Sequence, residues 1–343
     1  MNVAEVLQQV EALEPGMQKA YLDSVRATVD AATVAEVERL LAADDENGLV
    51  ELLSLGALSL LIESVRSAFM TGARFEMAAI VLPRADRELN GRKEFDVNRA
   101  EASSWLAQQV TDTRNTTTDN VREAIRSVMG SRRVIGGIQP AGPAVRTDRQ
   151  AALDLIGRVS PQTGLRTGGV IGLPGNFAQY VANARAQLLS GDPAQLKQYL
   201  TRARRDRRFD GIVSRAITAG KSVATKDVDK IAGRYSERLL KTHSEMLART
   251  LAHESLNAGR DRAWEQLVEQ GIARERVEKE WRDRNDEKVR NSHRYMRGRR
   301  VGLGQPFQTN SGALLRFPGD SSLGAGWDEL SNCRCICIYH LKA

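Results

Sequence analysis

The residues of this chain that are best suited to chemistry are concentrated near its C-terminus. All three cysteines and two of the four histidines follow residue 290, in a stretch punctuated by glycine. They are Cys333, Cys335, Cys337, His293 and His340. Thiolate and imidazole groups are the usual protein ligands of zinc. Cys333, Cys335 and His293 therefore form a candidate zinc site, to which Asp286 or Asp320 would add a fourth ligand.

The spacing of the cysteines leaves this hypothesis open. A single residue separates Cys333 from Cys335, whereas ordinary structural zinc sites have two to four. The alternative is that both are small apolar core residues, because free cysteine is among the most buried residue types. The absence of the usual two-residue gap also disfavours redox catalysis. We expect either no cofactor or a single zinc ion.

Few residues could serve as a catalytic acid and base. His293 with Asp286 is the one candidate pair, and no third role can be assigned beside them. His253 and Glu254 begin a match to the zinc-protease helix signature, but Asn257 stands where the second histidine is required. We predict no catalytic residues and no enzymatic activity. The alternative is a metal-dependent enzyme or a toxin-like effector.

The charge of the chain favours a polyanionic partner, most simply nucleic acid. Fifty lysines and arginines accompany 43 acids, which gives a formal net charge of +7. Two arginine clusters are candidate contacts to a phosphate backbone, without sequence readout. Their alternative is an ordinary solvated helix surface or helix end. The residues are Arg202, Arg204, Arg205, Arg207, Arg208, Arg294, Arg297, Arg299 and Arg300.

A long helix predicted over residues 244–270, after a separate helix at 227–240, carries two stripes. One stripe consists mostly of small residues and would let another helix approach closely. Its members are Ala248, Ala252, Leu256, Gly259, Ala263 and Leu267. The adjacent stripe is polar and is formed by Arg249, His253, Asn257 and Arg260. This polar stripe is either a solvated face or a surface docked on the C-terminal residues.

The C-terminal residues 272–343 predict a small α+β module. Residues 281–297 predict one helix or two short ones, with Asp286, Arg290 and His293 on one helical face and Gly298 at the end. The alternation over 333–339 predicts a final strand with the three cysteines on one side.

The remaining sequence predicts a mainly α protein with an elongated helical N-terminal body. We expect four consecutive segments: a helical region (1–130), a Gly/Pro-rich hinge or extended arm (131–175), a second helical region (176–271) and the C-terminal module (272–343). The longest apolar run is too short to span a membrane, and the first residues lack the pattern of a signal peptide. The odd number of clustered cysteines argues against a secreted disulfide framework. The sequence thus predicts a soluble protein of a reducing compartment.

The last third of the chain resembles the Mu F-like phage head morphogenesis, or minor head protein, family. The resemblance is carried by an ordered set of motifs that is specific as a whole. They are Ala248-Arg249-Thr250, Asn257, Trp281, Asp286, Arg290, Ser292-His293, Gly298, Phe317-Pro318-Gly319-Asp320, Gly324-Ala325, Glu329 and Asn332-Cys333-Arg334-Cys335. One position departs from the pattern, because Leu251 stands where the family usually has a glutamate. If that glutamate contacts the module in the family, either Glu254 replaces it here or the contact is lost.

The resemblance implies a low-copy structural protein of a tailed-phage head or a prophage-like particle. Such a protein would bind portal or major capsid protein, lie at the portal vertex or inside the head after synthesis in the bacterial cytoplasm, and touch packaged double-stranded DNA. The alternative is a plain non-specific DNA-binding protein. The resemblance also implies that a set of motif residues serves the folding of the module. These are Arg249, Asn257, Asp286, Arg290, His293, Gly298, Asp320, Asn332, Cys333 and Cys335.

Overall fold

A computed structural model describes residues 3–54, 58–84, 86, 88–89, 93–131 and 146–342. It confirms a mainly α protein with a small α+β end. The helices are α1 (Val3–Ala31), α2 (Val34–Ala42), α3 (Glu46–Leu53), α4 (Ser59–Ala79), α5 (Ala100–Gly130), α6 (Asp148–Ile156), α7 (Gly175–Leu189), α8 (Pro193–Leu200), α9 (Asp210–Ala219), α10 (Thr225–Glu269), α11 (Asn291–Met296) and α12 (Trp327–Leu330). The strands are β1 (Arg158–Val159), β2 (Arg166–Thr167), β3 (Val277–Arg282), β4 (Arg300–Gly302), β5 (Phe307–Gln308), β6 (Leu314–Leu315) and β7 (Ile336–Leu341).

The chain divides into two compact units, each made of separated stretches of sequence. Unit 1 comprises Met1–Tyr21, Ser59–Thr111 and Glu245–Ala343, and unit 2 comprises Leu22–Leu58 and Asp112–Ser244. The predicted division into four consecutive segments stays a prediction. Residues 132–145 of the predicted hinge lie outside the described residues. None of the helices in the described part of the chain is long and apolar enough to cross a membrane.

Short polar residues define the beginnings of several helices. The side chains of Thr33 and Asp45 accept hydrogen bonds from backbone N–H groups in the first turns of α2 and α3, at 3.1 and 2.8 Å. Thr147 and Gln150 form a reciprocal capping box at the start of α6. Such caps satisfy amide groups that the helix itself leaves without acceptors.

The predicted boundary between helices at 240 and 244 is wrong, because α10 runs without interruption for 45 residues. The residues between the predicted helices are Lys241, Thr242 and His243. None of them is glycine or proline, so nothing in this stretch forces the backbone out of the helical conformation.

The small-residue stripe of α10 packs closely against α4 in unit 1, as predicted. A Cβ atom added to Gly259 would lie 1.9 Å from the carbonyl oxygen of Phe69, and one added to Gly72 would lie 2.1 Å from that of Leu256. Backbone therefore touches backbone at this crossing, and only glycine leaves the necessary space. The contact fixes α10 beside α4.

A three-stranded antiparallel sheet in the order β4-β3-β7 forms the centre of the C-terminal residues. Trp281 pairs with Cys337 in its register. The predicted helix over 281–297 is therefore wrong: Trp281 belongs to β3, and only α11 is helical within that range. The predicted final strand begins later than expected, at Ile336, so Cys333 and Cys335 precede it.

Unit 2 contains a buried network of charged side chains contributed by α6, β1, α7 and α10. Both carboxylate oxygens of Asp154 accept hydrogen bonds from Arg146 at 2.8 Å. Arg185 lies 2.9 Å from Asp154 and 2.7 Å from Asp229. Arg158 completes the set, 2.9 Å from Asp229. Each charge in this network has an opposite partner within the protein.

Candidate metal centre and the helix that supports it

Three buried side chains of unit 1 converge on one point. Nδ1 of His293 lies 3.5 Å from Sγ of Cys333 and 3.5 Å from Sγ of Cys335. The donor atoms of the three residues all lie within 4.8 Å of one another. Their residues are between 1% and 3% exposed. The structure thus brings together the three residues that the sequence singled out as metal ligands.

Neither aspartate considered as a fourth ligand belongs to this cluster among the described residues. The carboxylate of Asp286 accepts a hydrogen bond from the backbone of Lys288 at 2.9 Å and closes a local turn. Asp320 is fully buried and accepts hydrogen bonds from the backbone and guanidinium of Arg316 at 2.8 and 3.2 Å. Both carboxylates therefore stabilise loops of the module.

A carboxylate stands on the opposite side of the His293 ring. Nε2 of His293 lies 3.1 Å from Oε2 of Glu329, although the N–H direction is not aligned as in a good hydrogen bond. The hydroxyls of Ser292 and Ser311 donate to the two oxygens of Glu329, each at 2.7 Å. Burial raises the pKa of Glu329, but these hydroxyls and the charge of His293 outweigh it and lower the pKa. His293 therefore has thiols on one side and an oriented carboxylate on the other.

The two thiols of the cluster are not equivalent. A hydrogen bond from Cys335 lowers the pKa of Cys333 well below its usual range, against the effect of burial. The same interaction, together with burial, raises the pKa of Cys335 well above its usual range. Cys337 lies on β7 outside the cluster, and burial raises the pKa of its thiol to about 12. Cys337 behaves as an ordinary buried thiol.

Turns on either side of the cluster orient its members. Gly298 has a φ of +73° and donates its backbone N–H to the carbonyl of Trp281 at 2.9 Å, which returns the chain to the sheet after α11. Asn332 has a φ of +53°, a conformation that asparagine tolerates better than most residues. The ring of Trp281 packs edge-on against His293, with centroids 5.2 Å apart.

The polar stripe of α10 is docked on the C-terminal residues, which decides between the two alternatives left open by the sequence. Arg249 donates to the side chain of Asn332 at 2.9 Å. Nε2 of His253 lies 2.6 Å from the carbonyl oxygen of Cys335, and Asn257 donates to the carbonyl of Pro318 at 3.3 Å. Arg260 donates to the carbonyl of Cys337 at 2.9 Å. One helix face thus holds two separate segments of the module, the turn at Pro318 and the stretch from Asn332 to Cys337.

Glu254 of α10 contacts the C-terminal residues at Ser321. Its Oε1 accepts hydrogen bonds from the backbone N–H and hydroxyl of Ser321, at 3.1 and 2.5 Å. Gln109 donates to the same oxygen at 3.1 Å. Burial raises the pKa of Glu254 to about 7 despite these donors. Leu251 is itself buried.

A cavity of about 370 Å³ borders the cluster at His293 and Cys335. Its wall is rich in cationic side chains, and Asp286 is the acid among its lining residues. The cations are Arg249, Arg284, Lys288, Arg290 and Arg334. Arg290 also donates to the carbonyl oxygen of Ser331. The cavity therefore lies directly beside two of the three donors and carries an excess of positive charge.

The first arginine cluster lies in a turn rather than on a helix. Helix α8 ends at Leu200, and a short 3-10 helix, Arg207–Phe209, follows. Arg205 forms a two-point ion pair with Asp210 at 2.9–3.0 Å, and Arg202 donates to Gln187 at 2.9 Å. Exposed positions are occupied by Arg204, Arg207 and Arg208. Of these, Arg204 donates to Thr242 and Arg208 to the buried Asp206.

The second arginine cluster is exposed but partly paired. Arg297 donates to Asp283 at 2.8 Å, and Arg300 donates to Glu280 at 3.1 Å. The guanidinium of Arg299 lies 3.7 Å from the centre of the Tyr295 ring. Arg294 donates to the carbonyl of Val289 at 3.2 Å. These contacts reduce the number of cations free to meet a phosphate.

Two acids of unit 1 were not assigned roles from the sequence. Glu329 appears among the motif residues, but nothing near it indicates that it faces His293 rather than solvent. Glu76 accepts hydrogen bonds from Arg260 at 2.7 Å and from the indole of Trp264 at 2.9 Å. Because Glu76 lies within the apolar face of α4 and a buried acid requires a partner, its position in the sequence could have indicated such a pairing.

Comparisons of the chain with family models, with curated proteins and with solved structures find no match.

Proposed function

We propose that the chain is a structural minor head protein of a tailed phage or prophage-like particle. It would bind portal or major capsid protein and take part in head morphogenesis and in the packaging or ejection of DNA. This proposal rests on the resemblance of the ordered C-terminal motifs to the Mu F-like family. Its place would be the head interior or the portal vertex.

The observation that best supports the proposal is the way the motif residues meet. Arg249 contacts Asn332, Asn257 contacts Pro318, and His293 contacts Cys333 and Cys335, although as many as 83 residues separate these partners in sequence. The motifs thus form one mutually supporting set, as expected for a module whose shared residues serve folding.

We also propose that the chain acts without catalysis. The candidate base His293 does not pair with Asp286 but lies against Glu329, which two serine hydroxyls hold in place. A fully surrounded imidazole at 1% exposure is suited to a structural or ligand-holding role. An assembly protein needs stable surfaces rather than a reactive group.

Contact with packaged DNA would come from the exposed arginines. Arg204, Arg207 and Arg208 lie on an exposed turn of unit 2, and a backbone contact needs only positive charge at the surface. Binding of this kind would be independent of sequence, which suits a protein that meets an entire packaged genome.

Localisation in assembled particles tests the function. A tagged full-length chain, produced during particle assembly, should co-purify with heads that contain portal and coat protein. It should remain with them after nuclease treatment and a high-salt wash, which remove proteins held only by DNA. The proposal would be overturned if the chain were absent from heads, or if it were released together with the digested DNA.

The salt dependence of DNA binding tests the proposed contact between the exposed arginines and packaged DNA. Retention on random double-stranded DNA should fall steeply with salt, and Arg204→Gln, Arg207→Gln and Arg208→Gln together should lower the log–log slope by up to about 3. A control with the same loss of charge combines Lys197→Gln, Lys221→Gln and Lys226→Gln, all exposed in unit 2. Equal effects of the two triple variants would show that net charge, not this turn, determines binding.

A further inference from the structure

The two distances from the His293 nitrogen to the sulfurs of the buried cluster match those of a tetrahedral zinc site, and all three donors lie within 4.8 Å of one another. With Zn–S near 2.3 Å and Zn–N near 2.05 Å, tetrahedral angles place nitrogen and sulfur about 3.6 Å apart. The two measured separations from Nδ1 of His293 are both 3.5 Å. A single Nδ1 lone pair can accept only one thiol proton well. One metal ion satisfies both sulfurs and the nitrogen at once.

The surroundings of His293 match those of a metal-bound histidine. If Nδ1 binds a metal, the proton of the neutral ring must sit on Nε2, and Nε2 faces the carboxylate of Glu329 at 3.1 Å. Metal-binding histidines usually direct their second nitrogen at such a carboxylate, which fixes the tautomer and strengthens the ligand. A slight rotation of the ring would align this contact. Ser292 and Ser311 hold Glu329 in position.

Cys337 provides an internal comparison with an ordinary core cysteine. It is fully buried two residues beyond Cys335, yet it does not belong to the donor cluster. Simple burial therefore does not by itself bring a thiol to an imidazole in this module. The pairing of Cys333 and Cys335 around His293 needs a different explanation.

The cation-lined cavity supplies the fourth coordination position of the metal ion. It borders His293 and Cys335, so a metal held by the three donors would be reached from it by solvent. Zinc sites with three protein ligands keep their fourth position for water or another small ligand; in enzymes that water reacts, whereas no general base is assigned beside this site and the ion would serve the fold. The five cationic side chains around the cavity favour a hydroxide or another small anion there.

We propose that His293, Cys333 and Cys335 bind one Zn²⁺ ion, that Glu329 positions His293, and that solvent from the cavity completes the coordination. Two thiolates balance the two charges of the ion, so the buried site becomes neutral when zinc is bound and both thiol protons are released. Two thiolates and an imidazole are donors that zinc accepts readily. The ion would tie α11 to the segment that leads into β7.

Metal content of the purified full-length chain is the direct test. After reconstitution with zinc under a reducing agent and removal of loosely bound ions, wild type and Cys337→Ala should each hold about one zinc per chain. Cys333→Ser and Cys335→Ser should hold less than about a fifth of that amount. Circular dichroism of each variant identifies any that lose metal merely because they fail to fold.

Cobalt substitution of the wild-type chain decides the question even if the serine variants do not fold. Co²⁺ should produce the thiolate-to-cobalt charge-transfer band and the intense visible band of a tetrahedral site. Competition with zinc should remove both. Glu329→Gln should keep the stoichiometry and the spectrum but weaken zinc affinity about 10- to 100-fold. The exposed control Glu287→Gln should leave affinity unchanged.

Three results would overturn the proposal. One is less than about half an equivalent of zinc in the reconstituted wild type, with no tetrahedral cobalt spectrum. Another is equal loss of zinc in Cys337→Ala and Cys333→Ser when both are folded. The third is a disulfide between Cys333 and Cys335 that persists in the reducing agent, found by thiol titration.

Discussion

Both compact units bury polar groups, and they satisfy them in different ways. In unit 2, Arg146, Arg158 and Arg185 surround Asp154 and Asp229, and every charge meets its partner within the protein. In unit 1, the buried side chains of His293, Cys333 and Cys335 converge on one point beside a cavity. The first arrangement is complete without a ligand, whereas the second gains from one.

This difference separates a stabilising network from a site. Removing one carboxylate from the unit 2 network leaves buried guanidinium groups without compensation, so its members depend on one another. The donors of unit 1 are an imidazole and two thiols, which can exchange protons for a metal. Buried polar clusters of similar size can thus have different purposes, and donor chemistry distinguishes them.

The largest expected effect comes from breaking the unit 2 network. Asp154→Ala leaves three arginines facing the single carboxylate of Asp229 and should reduce the free energy of unfolding by about 3–5 kcal/mol. Urea denaturation measures this loss. The control Arg149→Ala, on the same helix, removes an exposed arginine 3.5 Å from Glu38 and should cost less than about 1 kcal/mol. Similar losses in both variants would mean that the network is not the stabilising feature described.

Unit 1 should show an unusual loss of stability with rising pH through Glu254. Its pKa is raised to about 7 in the folded chain, above the value of about 4.5 for an unfolded glutamate. The folded state therefore holds the proton more tightly, and stability falls as the pH rises from about 4.5 to 7. Glu254→Gln should remove this dependence and increase the free energy of unfolding by up to about 3 kcal/mol at pH 8.

Urea denaturation curves of the wild-type and Glu254→Gln chains across pH 5–8 measure this effect. The control Glu269→Gln removes a carboxylate that pairs with Arg99 at the surface of unit 1. It should change the free energy of unfolding by less than about 1 kcal/mol at each pH. A Glu254→Gln chain that is less stable than wild type at pH 8 would contradict the assignment.

Unit 2 should show the opposite pH dependence through His243. Burial lowers its pKa from 6.5 to about 4 in the folded chain, beside the ring of Phe177. The folded state therefore resists protonation, and stability falls as the pH decreases from about 6.5 towards 4. His243→Gln should reduce this acid loss by about 2 kcal/mol. Comparable acid sensitivity of the variant and wild type in urea denaturation at pH 4.5 would exclude His243 as its source.

Sequence reasoning located the cluster because its residue types are rare and close together. Cys333, Cys335 and His293 stand out in a chain with three cysteines and four histidines. The polar stripe of α10 was also visible from its spacing. Its docking could not be decided from sequence, because solvated and docked polar faces have the same periodicity.

The error over residues 281–297 has a specific physical cause. Strand β3 carries Lys279 and Glu280, which look like solvent-exposed residues but are buried. Lys279 lies 3.4 Å from the buried Asp261, and Glu280 pairs with Arg282 and Arg300. Of these partners, Asp261 and Arg300 come from other elements of the chain. Tertiary pairing of this kind keeps β3 a strand as far as Arg282, whereas the helix over 281–297 was inferred from the four- and three-residue spacing of Asp286, Arg290 and His293.

The network of unit 2 was beyond prediction for a related reason. Its members are common residue types, and as many as 83 positions separate Arg146 from its partner Asp229. No local spacing connects them. A search for unusual chemistry in sequence finds sites built from rare residues and misses networks built from arginine and aspartate.

Hydrogen exchange of the full-length chain, with and without one equivalent of Zn²⁺, tests the contrast between the units most directly. We predict slower exchange in residues 291–297 and 329–337 of unit 1 when zinc is present. Exchange in residues 146–158 and 225–236 of unit 2 should not change. Equal protection of both units, or no protection in either, would contradict the conclusion that unit 1 holds a ligand site and unit 2 a self-sufficient network.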